Sequence, residues 1–183
     1  MKLLLQLSLL TLGLSLALGQ IMPRSSWCPV PLSPRLPRLA GPVSYIIIHH
    51  TATAQCFNPH QCQQALKNIR AGHLRRRFRD IGYNFLIGGD GRIYEGLGFG
   101  IRGEHAPNYN SRSIGIAFIG NFQNGLPPAQ MMQAARTLIR IAVQRRQVVP
   151  KYSLIGHCQT KATACPGVHL LNELRKLSGY RRI

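Results

Sequence analysis

Two histidines and a cysteine stand where a sheet would present them. His49 closes the run from Val43, His157 closes the run from Tyr152, and Cys165 follows in Gly156-His157-Cys158-Gln159-Thr160-Lys161-Ala162-Thr163-Ala164-Cys165-Pro166-Gly167. Loops at strand ends are where a rigid sheet commonly holds reactive groups. Two imidazoles and a thiolate leave a fourth tetrahedral position for water, which is the arrangement of a catalytic zinc, because structural zinc is closed by a fourth protein ligand. Spacing by itself leaves a second reading open. The histidines are far apart in sequence and match no short zinc pattern, so the three residues also read as two ordinary strand-end histidines and a half-cystine.

The elements that must position these groups follow from local patterns. Residues 43–49 are a β-branched and aromatic run, short enough for a strand and apolar enough to be buried on both faces. Asn58-Pro59 supplies a cap and a proline at the first helical position, which predicts a helix through about Leu74. The runs Tyr83 to Ile87 and Arg92 to Glu95 flank Gly88-Gly89-Asp90-Gly91 and predict a hairpin. Ser113 to Gly120 reads as a strand whose glycines permit close backbone approach. Pro127-Pro128 opens a second helix, with Met131, Ala135, Leu138, Ile139 and Ala142 at helical spacing and Arg136, Arg140 and Arg145 elsewhere. A strand from Tyr152 to His157 and a short helix near Leu170 to Leu177 complete the order. The pattern β-α-β-β-β-α-β-α predicts an α/β fold, a mixed central β-sheet flanked by helices in a single domain over residues 43–183. Residues 20–42 are rich in proline and read as an extended segment wrapped on the surface.

Composition bounds the rest. The chain has 183 residues, 23 Lys+Arg against 5 Asp+Glu, and a formal charge of +18, yet 45% of it is hydrophobic, which excludes a disordered basic tail. Met1-Lys2, the apolar run Leu3 to Leu18 and the ending Ala17-Leu18-Gly19 read as a signal peptide over residues 1–19, which predicts secretion. An anchor needs about 20 unbroken apolar residues, and Gln6, Ser8 and Ser15 interrupt this run, so no transmembrane anchor is expected. Cys28, Cys56, Cys62, Cys158 and Cys165 all lie beyond the leader. An oxidising compartment favours disulfides, but an odd count leaves at least one sulfur for another role. Basic clusters at Lys67 to Arg79, Arg136 to Lys151 and Arg175 to Arg182 would attract anionic envelope polymers, or serve only as a solvated surface. No motif for reading nucleic acid is present, so no specific nucleic-acid partner is expected.

A resemblance rests on five stretches in order: Ile46-Ile47-Ile48-His49-His50-Thr51-Ala52, Asp80 to Ile87, Asp90-Gly91-Arg92-Ile93-Tyr94-Glu95-Gly96, Ser113 to Phe122, and Gly156-His157 with Cys165-Pro166-Gly167. Together they resemble a short secreted peptidoglycan recognition protein, over about Met22 to Leu177. That resemblance implies a fold shared with a phage amidase and bacterial peptidoglycan as partner. It also implies a zinc-dependent N-acetylmuramoyl-L-alanine amidase of innate immunity, cleaving the amide between the lactyl group and L-alanine of the stem peptide. It places the zinc ligands on His49, His157 and Cys165. Members that only bind carry serine or another residue at the cysteine position, so Cys165 favours catalysis. Tyr83 matches the catalytic tyrosine, a donor to the oxyanion or an orienter of water. Thr163 matches a position with a secondary role at that oxygen.

The resemblance further implies that His50, His73, Phe78 and His105 contact substrate, although the stretch from His73 to Tyr83 is one residue shorter than usual. Arg77-Phe78 and Leu97 occupy the positions that separate lysine-type from diaminopimelate-type binders, and Leu97 offers no cation for the extra carboxylate. Cys56 and Cys62 match the family's short-range disulfide. Cys28 and Cys158 are unusual for the family, and a second bridge between them is expected; pairing of Cys158 with Cys165 would instead abolish the zinc site. The competing functional classes are a non-catalytic peptidoglycan receptor and a cationic antimicrobial protein.

Overall fold

The computed structural model describes residues 21–183, and the leader read at residues 1–19 lies outside them. One sheet contains β1 (Ile21–Met22), β2 (Val43–His50), β3 (Phe85–Ile87), β4 (Ile93–Glu95), β5 (Ser113–Phe118) and β6 (Val148–Gly156). Their spatial order is β1-β4-β3-β5-β2-β6. Every neighbouring pair is parallel except the β3–β4 hairpin. The helices are α1 (Pro59–Arg75), α2 (Ala129–Gln144) and α3 (Val168–Leu174). This is the mixed sheet flanked by helices that the pattern predicts.

β2 lies between β5 and β6, which explains why Ile46, Ile47 and Ile48 are all fully buried: a central parallel strand meets apolar layers on both faces. Successive side chains alternate between those faces. Ile46 and Ile48 join the larger core with Met131, Ala135, Leu138 and Ala142 of α2 and Leu170 and Leu174 of α3. Each large aliphatic side chain buried there contributes about 2 kcal/mol. Ile47 packs instead with Ala106 and Ile155.

α1 starts as its sequence dictates. The Asn58 side chain accepts from Gln61 N–H at 3.0 Å, and Pro59 occupies the first turn, where a missing N–H costs nothing. Only Cys62, Leu66 and His73 of this helix are fully buried, so it docks by a narrow stripe and leaves one flank free to wall a cavity. Cys62 is bonded to Cys56, which ties the helix to the loop after β2.

The segment before β2 is mostly exposed or half-buried and is pinned by a few buried side chains. Ile21 and Met22 pair with β4, and Arg24, Trp27, Cys28 and Leu36 are buried in a second core with Leu66, Leu86 and Tyr94. Trp27 Nε1–H donates to the Glu95 carbonyl at 2.9 Å. After β1 the prolines limit regular structure to one short 3-10 turn, Arg24–Ser26, and the apolar side chains between them cover the sheet face that α1 leaves bare.

Candidate metal centre

The parallel register of β2 and β6 sets Ile48 opposite Gly156, so His49 and His157 emerge together at the same sheet end. His157 opens a short 3-10 turn, His157–Gln159, and the loop beyond it returns Cys165 to β2. A Cβ added at Gly156 would lie 3.1 Å from Pro166, so the bare glycine is what lets that loop close over the strand end. The candidate ligand atoms of His49, His157 and Cys165 all lie within 4.8 Å of one another. His49 Nδ1 is 3.7 Å from Cys165 Sγ, and the two imidazole centroids are 4.3 Å apart.

The electrostatics suit a cation. Burial holds the His49 pKa well below its ordinary value, reinforced by His105, His157 and His50. Burial also lowers His157 to about 4, with smaller contributions from Lys161 and His50. Both rings are therefore neutral near pH 7 and offer lone pairs. The two nitrogens of His157 are buried without a hydrogen-bond partner among the described residues, an unusual deficit for a native interior. Burial raises the Cys165 thiol to about 12, against which the His50 N–H works at 3.4 Å. A divalent cation would reverse that preference, because binding expels the thiol proton. Two neutral imidazoles, one sulfur and an open side fit zinc.

Around this cluster is a cavity of about 520 Å³, lined by His49, His50, Phe78, Tyr83, His105, His157, Thr163 and Cys165 among others. A neighbouring cavity of about 810 Å³ runs along the free flank of α1 and shares His73, Arg76 and Tyr83 with the first.

The fold and this cluster have counterparts among known proteins. The family model described as N-acetylmuramoyl-L-alanine amidase matches residues 39–168. The chain is 79% identical over 177 residues to a peptidoglycan-recognition protein of Drosophila melanogaster, covering 97% of each. It belongs to the peptidoglycan recognition protein family. Among solved structures, Drosophila peptidoglycan recognition protein LB superposes with a TM-score of 0.86 at 40% identity, covering 90% of this chain and 97% of that one. Peptidoglycan recognition protein LE, solved in complex with tracheal cytotoxin, a monomeric diaminopimelic acid-type peptidoglycan, gives 0.86 at 36% identity, covering 89% and 96%.

Within this peptidoglycan recognition protein fold, the residues expected at the site fall into distinct positions. The Tyr83 ring lies 5.2 Å from that of His49, and burial raises its phenol pKa, so it stays protonated. Thr163 Oγ1 accepts from Cys165 N–H at 3.3 Å and braces the ligand loop. His50 points to the opposite sheet face from His49, and its Nδ1 accepts from Phe122 N–H at 3.2 Å. His73 is buried beneath the rings of Phe78 and Tyr83, at 4.9 and 5.3 Å, and its Nδ1 accepts from Gly82 N–H at 2.7 Å. His105 bonds His49 at 3.0 Å. Leu97, read as a specificity position, is 4% exposed among the second core and lines neither cavity.

Of the expected disulfides, Cys56–Cys62 is formed and Cys28–Cys158 is not. Cys28 lies in the core beneath α1, where its sulfur accepts from Arg24 Nη2 at 3.5 Å. Cys158 borders Leu171 and Arg175 beside α3, on the other side of the sheet. The two cysteines are unusual in the sequence but have no shared face.

Arg76 escaped the sequence reading. Its guanidinium lies 5.4 Å over the Phe78 ring and lines both cavities. So did the polar flank of α1, whose His60, Gln61, Gln64 and Asn68 line the larger cavity. Their helical spacing was the available signal.

Proposed function

We propose that the chain is a secreted, zinc-dependent N-acetylmuramoyl-L-alanine amidase that hydrolyses the lactyl–L-alanine amide of bacterial peptidoglycan. The observation that carries this reading is the Cys165 sulfur, 3.7 Å from His49 Nδ1 and beside a His157 whose two nitrogens have no partner among the described residues.

Zinc held by His49, His157 and Cys165 would supply a Lewis acid for the scissile carbonyl and a water activated near neutral pH. The chain's own residues do the rest. The half-buried, protonated Tyr83 donates its phenolic hydrogen to the amide oxygen as negative charge develops there. Thr163 accepts from Cys165 N–H with its oxygen and keeps its hydroxyl hydrogen for the same region. Phe78 and Tyr83 present aromatic faces to the stem peptide, and the groove continues along α1. The family model, and the tracheal cytotoxin bound by the structurally similar protein LE, support peptidoglycan as the substrate class.

The surface favours a second, compatible role at anionic envelope polymers. With 23 basic and 5 acidic residues, most cations lack an acidic partner, and the ion pairs among the described residues engage only Arg24, Arg70, Arg79 and Lys176. Secretion accords with the disulfide, and no helix among the described residues is long and apolar enough to cross a membrane.

The test is incubation of purified protein with peptidoglycan and zinc, followed by mass spectrometry for free stem peptide. Release by the wild type and its loss in Cys165→Ser are expected. Absence of stem peptide with zinc verifiably bound would overturn the enzyme reading in favour of a receptor.

A further inference from the structure

A histidine ligand must offer one particular nitrogen, yet a neutral imidazole can carry its proton on either. The structure contains a hydrogen-bond chain that removes the choice for His49. Its far end is Ser113, fully buried in β5, whose single hydroxyl hydrogen goes to the Tyr109 carbonyl at 2.7 Å. The Ser113 oxygen is then only an acceptor, and the atom facing it at 3.4 Å is His105 Nε2, which must be the N–H. In a neutral ring the other nitrogen, His105 Nδ1, is bare. It lies 3.0 Å from His49 Nε2, which must therefore carry hydrogen. His49 Nδ1 is left with a free lone pair, on the side where Cys165 Sγ stands.

His105 is built into this place. A Cβ at Gly115 would collide with its imidazole, and one at Gly103 would lie 2.6 Å from Cδ2, so two glycines make room for the ring. The Asn110 side chain accepts from the N–H groups of His105 and Ala106 at 3.0 and 2.8 Å and holds the loop. At 7% exposure His105 has little surface for a substrate.

We infer that His105, backed by Ser113, is a positioning residue that fixes the His49 proton on Nε2 and keeps Nδ1 open toward Cys165. Its consequence for metal binding rests on the zinc reading above, while the proton assignment does not. Outer partners of this kind typically set metal affinity by about 10–100-fold.

Two measurements test it. Long-range proton–nitrogen NMR of the zinc-free wild type should find His49 protonated on Nε2; a proton on Nδ1 overturns the inference. Zinc affinity by chelator competition should fall about 10–100-fold in Ser113→Ala and in His105→Phe, which keeps bulk but has no acceptor. It should largely recover in His105→Asn, whose amide oxygen can replace Nδ1. Wild-type affinity in folded His105→Phe overturns the inference. If the wild type itself binds no zinc, the metal reading fails and the NMR assignment alone decides the relay. If His105→Phe does not fold, Ser113→Ala and the NMR assignment decide it.

Discussion

The buried polar cluster around Asp80 and the one around His49 differ in how far their atoms are satisfied. Asp80 accepts from Arg24 and Arg70 guanidinium groups and from Ile81 N–H. Arg24 also reaches the carbonyls of Val30 and Gly96 and the sulfur of Cys28. This cluster is closed upon itself and joins the N-terminal segment to α1. At the other cluster, His157 has two buried nitrogens without partners among the described residues, and Cys165 has a thiol that burial keeps protonated. Both contain a free cysteine, but only one has donor atoms left over. Satisfaction, more than residue type, separates an architectural knot from a site prepared for a ligand.

The largest effect expected from this contrast is at His157. His157→Ala should abolish zinc binding and stem-peptide release, while the urea midpoint of the metal-free protein stays level or rises, because no hydrogen bond is lost. A clear fall in that midpoint would mean that His157 is architectural after all. Next is Asp80→Asn, which strands the buried Arg24 cation and should cost about 3–5 kcal/mol in urea unfolding, with zinc stoichiometry of the folded protein unchanged.

Acid sensitivity should be smaller. Burial lowers His73 from 6.5 to about 4, with Arg76 also lowering it and Asp80 opposing. The unfolded chain therefore takes up this proton first. The stability contributed is full above about pH 6.5, declines as pH falls toward about 4, and is constant below. Urea midpoints across that range should show the decline, and His73→Asn, which keeps an acceptor for Gly82 N–H, should make it shallower, leaving the share contributed by His49, His105 and His157. The smallest effect belongs to Arg76, an exposed cation over Phe78. Arg76→Gln should weaken binding of carboxylate-bearing stem peptides about two- to fivefold at low salt, with the difference fading as salt rises.

The elements were legible wherever the signal was local. Asn58-Pro59 announces the start of α1, and the spacing of Met131, Ala135, Leu138 and Ala142 announces the buried face of α2, because caps and helical periods depend on neighbours in sequence. Which side chains of the N-terminal segment are buried was not legible locally, because that depends on the sheet face the segment covers. At the site, His49, His157 and Cys165 could be proposed from residue type, since few side chains serve as metal ligands. Cys28 could not be placed, because what meets its sulfur is an arginine held by an aspartate far along the chain.

By itself, the sequence determined the α/β order, the basic charge and the residue types available to a metal, while the Cys56–Cys62 pairing came only from the family resemblance. Those depend on composition and on contacts within a turn or two. Only the tertiary structure decided that the His50 Nδ1 accepts from Phe122 N–H, that His105 bonds His49, that Leu97 is sealed in a core, and that Cys28 and Cys158 lie apart. The physical reason is register: pleating sends successive side chains to opposite faces, and which face becomes the groove is set by strands and helices paired across long separations.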